Sequence, residues 1–121
     1  MSEFSFTKVG DTLLVEFGGR EILDMSIAEQ IHSELSTMIS EGDMKGLILD
    51  FTSVRLMTST MIGKLTMLRN QCEEEEKLFC VCCVMPEMME LIKMMKLTDR
   101  LKICDTRQQA LHYCGELGSK E

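Results

Sequence analysis

A chain of 121 residues has about the length of one domain, and with 45% hydrophobic and 27% charged residues it is typical of a folded globular protein that needs neither disulfides nor metal for its core. Its formal charge of −7 and scattered basic residues disfavour nucleic-acid binding. No apolar run reaches the roughly 20 residues that span a bilayer, and the N-terminus does not resemble an export signal. We therefore expect no membrane segment and a cytoplasmic location.

The first third of the chain predicts a β-hairpin followed by a helix. FSFTKV and TLLVEF are β-prone runs on either side of Gly10-Asp11, which predicts strands at about 4–9 and 12–17, with REIL as a short extended link. From Ser26 onward apolar residues recur at spacings of three and four, which indicates an amphipathic helix. Ser26 and Glu29 form a predicted capping box, and Gly42 is the predicted stop.

The remaining elements alternate between strands and helices. KGLILDF predicts a central strand buried on both faces, and a second helix should begin near Thr58 to Thr60. Gly63, one turn into that helix, is expected to be needed for close packing. LFCVCCVM predicts another buried strand, Pro86 suits the first turn of a third helix, and LKIC reads as a short edge strand. Asp105 is the predicted cap of a last helix that ends at about Cys114.

This alternation predicts the α/β class. We expect a single domain over residues 1–115, built on a mixed, mostly parallel sheet of about 4–5 strands that is opened by the N-terminal hairpin, with about four helices. Residues 116–121 are expected to form a frayed tail.

The cysteines and methionines are unusually numerous, but neither set predicts a metal or cofactor site. Alternation along CVCC places Cys80 and Cys82 on one face of the strand and Cys83 on the other, so we interpret the thiols as reduced, buried core residues. The methionines permit two interpretations, loose core filling or a partner-binding patch. Five of them crowd the third helix, Met85, Met88, Met89, Met94 and Met95, and the patch would also use Met25, Met57 and Met61.

Three adjacent hydroxyl residues, Thr58, Ser59 and Thr60, lie where the second helix is predicted to begin. One hydroxyl suffices to cap a helix. Either all three serve capping alone, or one is a phosphoacceptor, because backbone N–H groups at a helix start can stabilise a phosphate. Catalytic patterns are missing from the sequence: it has no Gly-rich phosphate loop, no HExxH, and no GxSxG around Ser59. We therefore do not expect an enzyme.

The segment LILDFTSVRLMTSTMIGKL resembles the signature of STAS domains of the anti-sigma-factor antagonist family. The flanking segments GGREILD and LTDRLKICDTRQQAL also resemble that family, so the resemblance covers nearly the whole chain. The residues that match the central signature are Asp50, Val54, Ser59, Ile62, Gly63 and Leu65. Two positions depart from it, since Thr58 replaces an acid of the family pattern and Met61 replaces a glycine.

The resemblance implies a phospho-regulated binding protein. It would bind an anti-sigma serine kinase, or a related switch protein, while Ser59 is unphosphorylated, and a PP2C-type phosphatase would restore binding after phosphorylation. Thr60 is the fallback phosphoacceptor. The residues expected to bind the partner are Asp24, Met25, Met57, Thr58, Ser59 and Met61. The alternative is a STAS scaffold or interaction module without phosphorylation, in which Ser59 only caps the helix and a Met-rich surface holds the partner.

Overall fold

The computed structural model describes residues 4–18, 21–22 and 25–118. The elements in chain order are β1 (Phe4–Val9), β2 (Thr12–Phe17), β3 (Glu21–Ile22), α1 (Met25–Glu41), β4 (Gly46–Asp50), β5 (Leu56–Met57), α2 (Ser59–Glu74), β6 (Leu78–Cys82), α3 (Pro86–Met94), β7 (Ile103–Cys104) and α4 (Arg107–Gly118).

The main sheet runs in the order β1-β2-β4-β6-β7. β1 and β2 form an antiparallel hairpin whose turn places Gly10 at a φ of +61°, a conformation that suits glycine, and the other neighbours in this sheet pair in parallel. β3 and β5 form a separate two-residue parallel pair. β4 is central and buried throughout its length. The predicted α/β fold, a mixed sheet opened by a hairpin with four helices, is confirmed for the described residues.

Strand alternation divides the core between the two faces of the sheet. One face carries residues such as Leu47, Leu49 and Val81, which pack with buried side chains of α1, α2 and α3. The opposite face carries Ile48 and Cys80, which α4 covers. Every helix found in the described part of the chain is too short or too polar to cross a bilayer.

The end of α1 is tightly constrained. The helix stops at Glu41, so Gly42 follows it as predicted, and a Cβ at Gly42 would lie only 2.6 Å from the carbonyl oxygen of Met38. Lys77 donates from Nζ to the carbonyl of Ile39 at 2.5 Å and to that of Gly42 at 3.1 Å. A cation at the C-terminal end of a helix also complements its dipole. Both contacts fix where α1 ends.

Two predicted helix starts are corrected. α1 begins at Met25, so Ser26 is its second residue rather than its cap. At α4, Thr106 Oγ1 accepts a hydrogen bond from the N–H of Gln109 at 3.1 Å, so Thr106 caps the helix in place of Asp105. α4 also continues to Gly118, past the predicted end at Cys114 and into the predicted tail; residues 119–121 lie outside the described residues.

Candidate functional site at the start of the second helix

Thr58 is the N-cap of α2. Its backbone is extended, with φ −72° and ψ 159°, and its Oγ1 accepts a hydrogen bond from the N–H of Met61 at 3.1 Å. Its carbonyl accepts the N–H of Ile62 at 3.1 Å, which begins the helical ladder. One hydroxyl therefore performs the capping, and the other two are not needed for it.

Ser59 and Thr60 are the first two residues of α2, and both are exposed. Within the described residues neither side-chain hydroxyl has a hydrogen-bond partner. Their N–H groups belong to the first turn, where the helix supplies no acceptor, and the positive end of the helix dipole lies there. The start of α2 thus presents two hydroxyls beside a favourable position for negative charge.

An open stripe continues from Ser59 along α2. Gly63 and Met67 follow at successive spacings of four, so the three residues share one helix face. A Cβ built on Gly63 would meet no atom within 4 Å, and Met67 is 53% exposed. The prediction that Gly63 is needed for close packing is wrong, because this side of the helix faces open space.

The pairing of β3 with β5 adds a second segment to this region. Ile22 lies opposite Met57, which brings the chain that enters α1 beside the chain that enters α2. Exposed apolar side chains stand on both segments, Met25 at 58% exposure and Leu56 at 43%. We call Met25, Leu56, Ser59, Gly63 and Met67 together the α2 surface. Leu56 and Met67 were not predicted as site residues. Asp24 was predicted as one, and it lies outside the described residues.

Two of the predicted partner-binding residues are not on a surface. Met57 is 2% exposed and Met61 is fully buried, and both belong to the core beneath α1, α2 and α3. This corrects the expectation that they contribute to an exposed methionine patch. Around α3, Met88 is likewise buried, whereas Met94 is 77% exposed. The exposed methionines of the described chain therefore stand on three different helices.

A buried carboxylate at the end of β4 organises the loop that leads to α2. Asp50 is 2% exposed; its Oδ1 accepts the N–H of Thr52 at 2.9 Å and the hydroxyl of the same residue. Its Oδ2 accepts from Nε of Arg107 at 2.8 Å, and Arg107 also pairs with the partly exposed Glu16. Burial raises the pKa of Asp50, but the hydrogen bonds from Thr52 and the Arg107 guanidinium outweigh it and hold the pKa below its usual value.

This network joins three elements that are distant in sequence. Asp50 ends β4, Glu16 lies near the end of β2, and Arg107 is the first residue of α4. Sequence reasoning placed Asp50 on the family signature but missed Arg107. The signal in the sequence was the acid at the end of a buried strand, because a buried acid requires a partner. Nothing local in the sequence identifies which basic residue is that partner.

The cysteines are all free, and all but Cys83 are buried, as predicted. Cys80 and Cys82 share the face beneath α4, also as predicted. The expected opposite placement of Cys83 is wrong, because β6 ends at Cys82 and Cys83 adopts a φ of +60°. Its sulfur lies with Cys82 Sγ and a carboxylate oxygen of Asp50 in a group whose atoms are all within 4.8 Å. The guanidinium paired with that carboxylate opposes a metal cation there.

The fold and these site features define a small α/β domain with an exposed serine at the start of its second helix. Residues 3–110 match the STAS domain family, and the chain belongs to that family.

Solved structures with the same fold come from proteins of different kinds. The anti-sigma factor antagonist SpoIIAA in its unphosphorylated form is 20% identical over 93% of this chain and 96% of that chain, with a TM-score of 0.79. The Bacillus cell fate determinant SpoIIAA in its phosphorylated form is 21% identical over 91% and 97%, with a TM-score of 0.70. A sulfate transporter family protein from Wolinella succinogenes is 18% identical over 92% and 90%, with a TM-score of 0.77. At these identities the likeness is one of fold.

Proposed function

We propose that this chain is a phospho-regulated anti-sigma-factor antagonist of the cytoplasm. Unphosphorylated, it binds an anti-sigma serine kinase or a related switch protein; phosphorylation at Ser59, with Thr60 as the fallback, ends that binding, and a PP2C-type phosphatase restores it. The chain is then the substrate and ligand of the kinase, not an enzyme. The observation that carries the proposal is that Ser59 is exposed while Thr58 already caps α2.

The division between cap and acceptor supports a reversible modification. A phosphoryl group adds about two negative charges and strong acceptor oxygens. At Ser59 those oxygens would lie beside the free N–H groups of the first helical turn, where negative charge is favourable. Thr58 keeps its own bond to Met61, so the helix retains its start in both states. We therefore expect the fold to survive phosphorylation.

The α2 surface supports a partner that distinguishes the two states. Met25, Leu56 and Met67 are exposed apolar residues of the segments next to Ser59, and the position at Gly63 is open, so they offer contact area for a partner. A partner that covers this area removes the serine from water. A dianion in the middle of such a contact would have to be desolvated, which weakens binding unless the partner supplies cations.

The relatives support the same role without assigning it. SpoIIAA is described as an anti-sigma factor antagonist and has been solved in unphosphorylated and phosphorylated forms. This chain shares its fold and its family, and it carries a serine at the matching position of the signature. The sulfate transporter neighbour shows that the same fold also serves proteins of another kind, so the site must carry the functional argument.

The first test maps the modification. The chain is incubated with ATP and lysate of its source cells, and phosphate is located by mass spectrometry in the wild type, Ser59→Ala and Thr60→Ala. We expect phosphate on Ser59 in the wild type and in Thr60→Ala, and its loss in Ser59→Ala. Phosphate that appears on Thr60 only would move the acceptor to the fallback site. Phosphate at a site away from the start of α2 would contradict the proposal.

The second test measures binding. Wild type, Ser59→Asp and the matched control Thr60→Asp are used to capture partners from the same lysate. We expect Ser59→Asp to lose an ATP-binding serine kinase that the wild type and the control retain, although a carboxylate carries only about half of a phosphate's charge. If all three capture the same proteins equally, the alternative of a scaffold module whose Ser59 is not a switch is favoured. Met94, whose side chain is exposed, is then the first residue to substitute in a search for the partner-binding surface.

A further inference from the structure

Two thiols on neighbouring strands face each other beneath α4. Sγ of Cys80 on β6 and Sγ of Cys104 on β7 are 3.1 Å apart. β6 and β7 are hydrogen-bonded neighbours, and Cys82 lies opposite Cys104. Cys80 is two residues before Cys82, so its side chain and that of Cys104 stand on the same face of the sheet. The sulfur atoms must approach by about 1 Å to reach the covalent distance of a disulfide, and the strand ends must shift as well, because Cys80 lies two residues before the position opposite Cys104.

The two thiols differ in their access to solvent. Cys104 lines an open pocket of about 410 Å³ together with Lys102, His112 and Tyr113, whereas Cys80 is fully buried behind it. Burial, and then the neighbouring thiol of Cys104, raises the pKa of Cys80, which keeps it protonated in the resting protein. A reagent that enters the pocket therefore meets Cys104 first.

The pocket has the size for a small organic reagent, and basic residues adjoin it. Lys102 lines it and also lines an adjoining depression of about 470 Å³, to which Arg69 and Arg100 contribute. Asp105 lines the pocket beside Lys102, and Asp99 and Glu73 line the depression, where Glu73 pairs with Arg69 at 2.8 Å. With Lys77, the pocket and the depression together hold four basic and three acidic residues in a chain whose net charge is −7. Carboxylate groups are favoured there over cationic ones.

We propose that Cys104 is a thiol-exchange site for an anionic low-molecular-weight disulfide such as oxidised glutathione, and that Cys80 is its resolving thiol. In the first step the sulfur of Cys104 attacks one sulfur of the small disulfide, which forms a mixed disulfide and releases one small thiol with the proton. In the second step the sulfur of Cys80 attacks Cys104 Sγ while its proton passes to the departing small thiolate, which leaves as the second small thiol. The small disulfide gains two electrons and two protons, and Cys80 and Cys104 become an internal disulfide between β6 and β7.

The test uses oxidised glutathione on the full chain, followed by quenching with acid and peptide mapping under non-reducing conditions. The wild type should yield a peptide pair that joins Cys80 to Cys104. The same experiment in a Cys83→Ala background removes the more exposed thiol as a competing target and should give the same pair. Cys114→Ala is the matched control, since it removes another buried thiol of the same cluster and should leave the reaction unchanged.

Two further variants separate the roles of the thiols. Cys80→Ala should lose the internal disulfide and retain glutathione on Cys104; Cys104→Ala should lose both products. Circular dichroism verifies that each variant is folded, and the wild-type mapping stands without any variant. The proposal is overturned if glutathione modifies other cysteines while Cys104 stays free. It is equally overturned if the wild type accumulates glutathione on Cys104 without the internal bond.

Discussion

Removing the guanidinium from the Asp50 network should destabilise the fold in a pH-dependent way. In Arg107→Met, Asp50 keeps its bonds from Thr52 but loses the guanidinium that donates to its Oδ2. The Asp50 side chain is only 1% exposed in the wild type. Methionine retains much of the aliphatic stem of arginine, so the change removes mainly charge and hydrogen bonds. What is left is a buried carboxylate without its cation.

The expected size follows from the exposure of the two partners. A hydrogen bond to a charged group contributes about 1.5–3 kcal/mol, and breaking a buried ion pair by removing one partner costs about 3–5 kcal/mol. The Arg107 side chain is 43% exposed, so water screens part of its interaction with Asp50. We therefore expect a loss of about 2 kcal/mol in the free energy of unfolding at neutral pH, or roughly 8 °C in Tm.

Urea denaturation at several pH values is the assay. The pKa of Asp50 is held below its unfolded value of about 3.9, so the stabilisation by Arg107 is fully present above about pH 4 and is lost as the pH falls through the folded-state pKa. The difference between the wild type and Arg107→Met should accordingly shrink as the pH falls below about 4. Glu16→Gln, which removes the partly exposed partner, should change the free energy of unfolding by no more than about 1 kcal/mol.

A second substitution tests the reasoning directly. Adding Asp50→Asn to Arg107→Met removes the unpaired charge, so the double variant should be less destabilised than the sum of the two single variants. A loss in Arg107→Met that stays constant from neutral to acidic pH would refute the argument. It would show that arginine contributes through packing rather than through its charge.

Three other substitutions have defined expected outcomes in denaturation experiments. Thr58→Ala should lower the free energy of unfolding by about 0.5–2 kcal/mol through loss of the α2 cap, whereas the control Ser59→Ala should leave it nearly unchanged; equal losses would mean that the cap is shared. Gly63→Ala should raise the free energy of unfolding by up to about 1 kcal/mol, since a Cβ there meets open space; a loss would reveal a packing role. Lys77→Met should cost about 1–2 kcal/mol because two carbonyls at the end of α1 lose their donor, and a neutral result would indicate that water replaces it.

The sequence predicted well what depends on short-range pattern. Continuous apolar runs located β4 and β6, and the helical period together with the hydroxyls placed the start of α2 near Thr58 to Thr60, where the helix begins at Ser59. At α4, two adjacent residues could each serve as the cap, and the pattern alone favoured Asp105 where the backbone uses Thr106. Which residue caps a helix depends on the backbone angles at that position. The preference of Asp or Thr for cap positions constrains those angles only weakly.

The errors at the candidate site have a different origin. Met57 and Met61 flank the exposed hydroxyls in sequence, yet the extended backbone at Thr58 and the turn into α2 direct both methionines into the core. Arg107 and Asp50 are 57 residues apart, and their pairing depends on which strands become neighbours. Such contacts follow from topology, and periodicity does not report them.

The order of the main sheet leaves two unequal edges. β7, at one edge, has two residues and offers too short a template for another strand to add, whereas β1, at the other, has six residues, of which Ser5 to Val9 are exposed. Natural sheets usually shield a long free edge because it can recruit strands from other molecules. Concentrated protein should therefore self-associate first through β1, and slower amide hydrogen exchange in that strand at high protein concentration would be the sign of it.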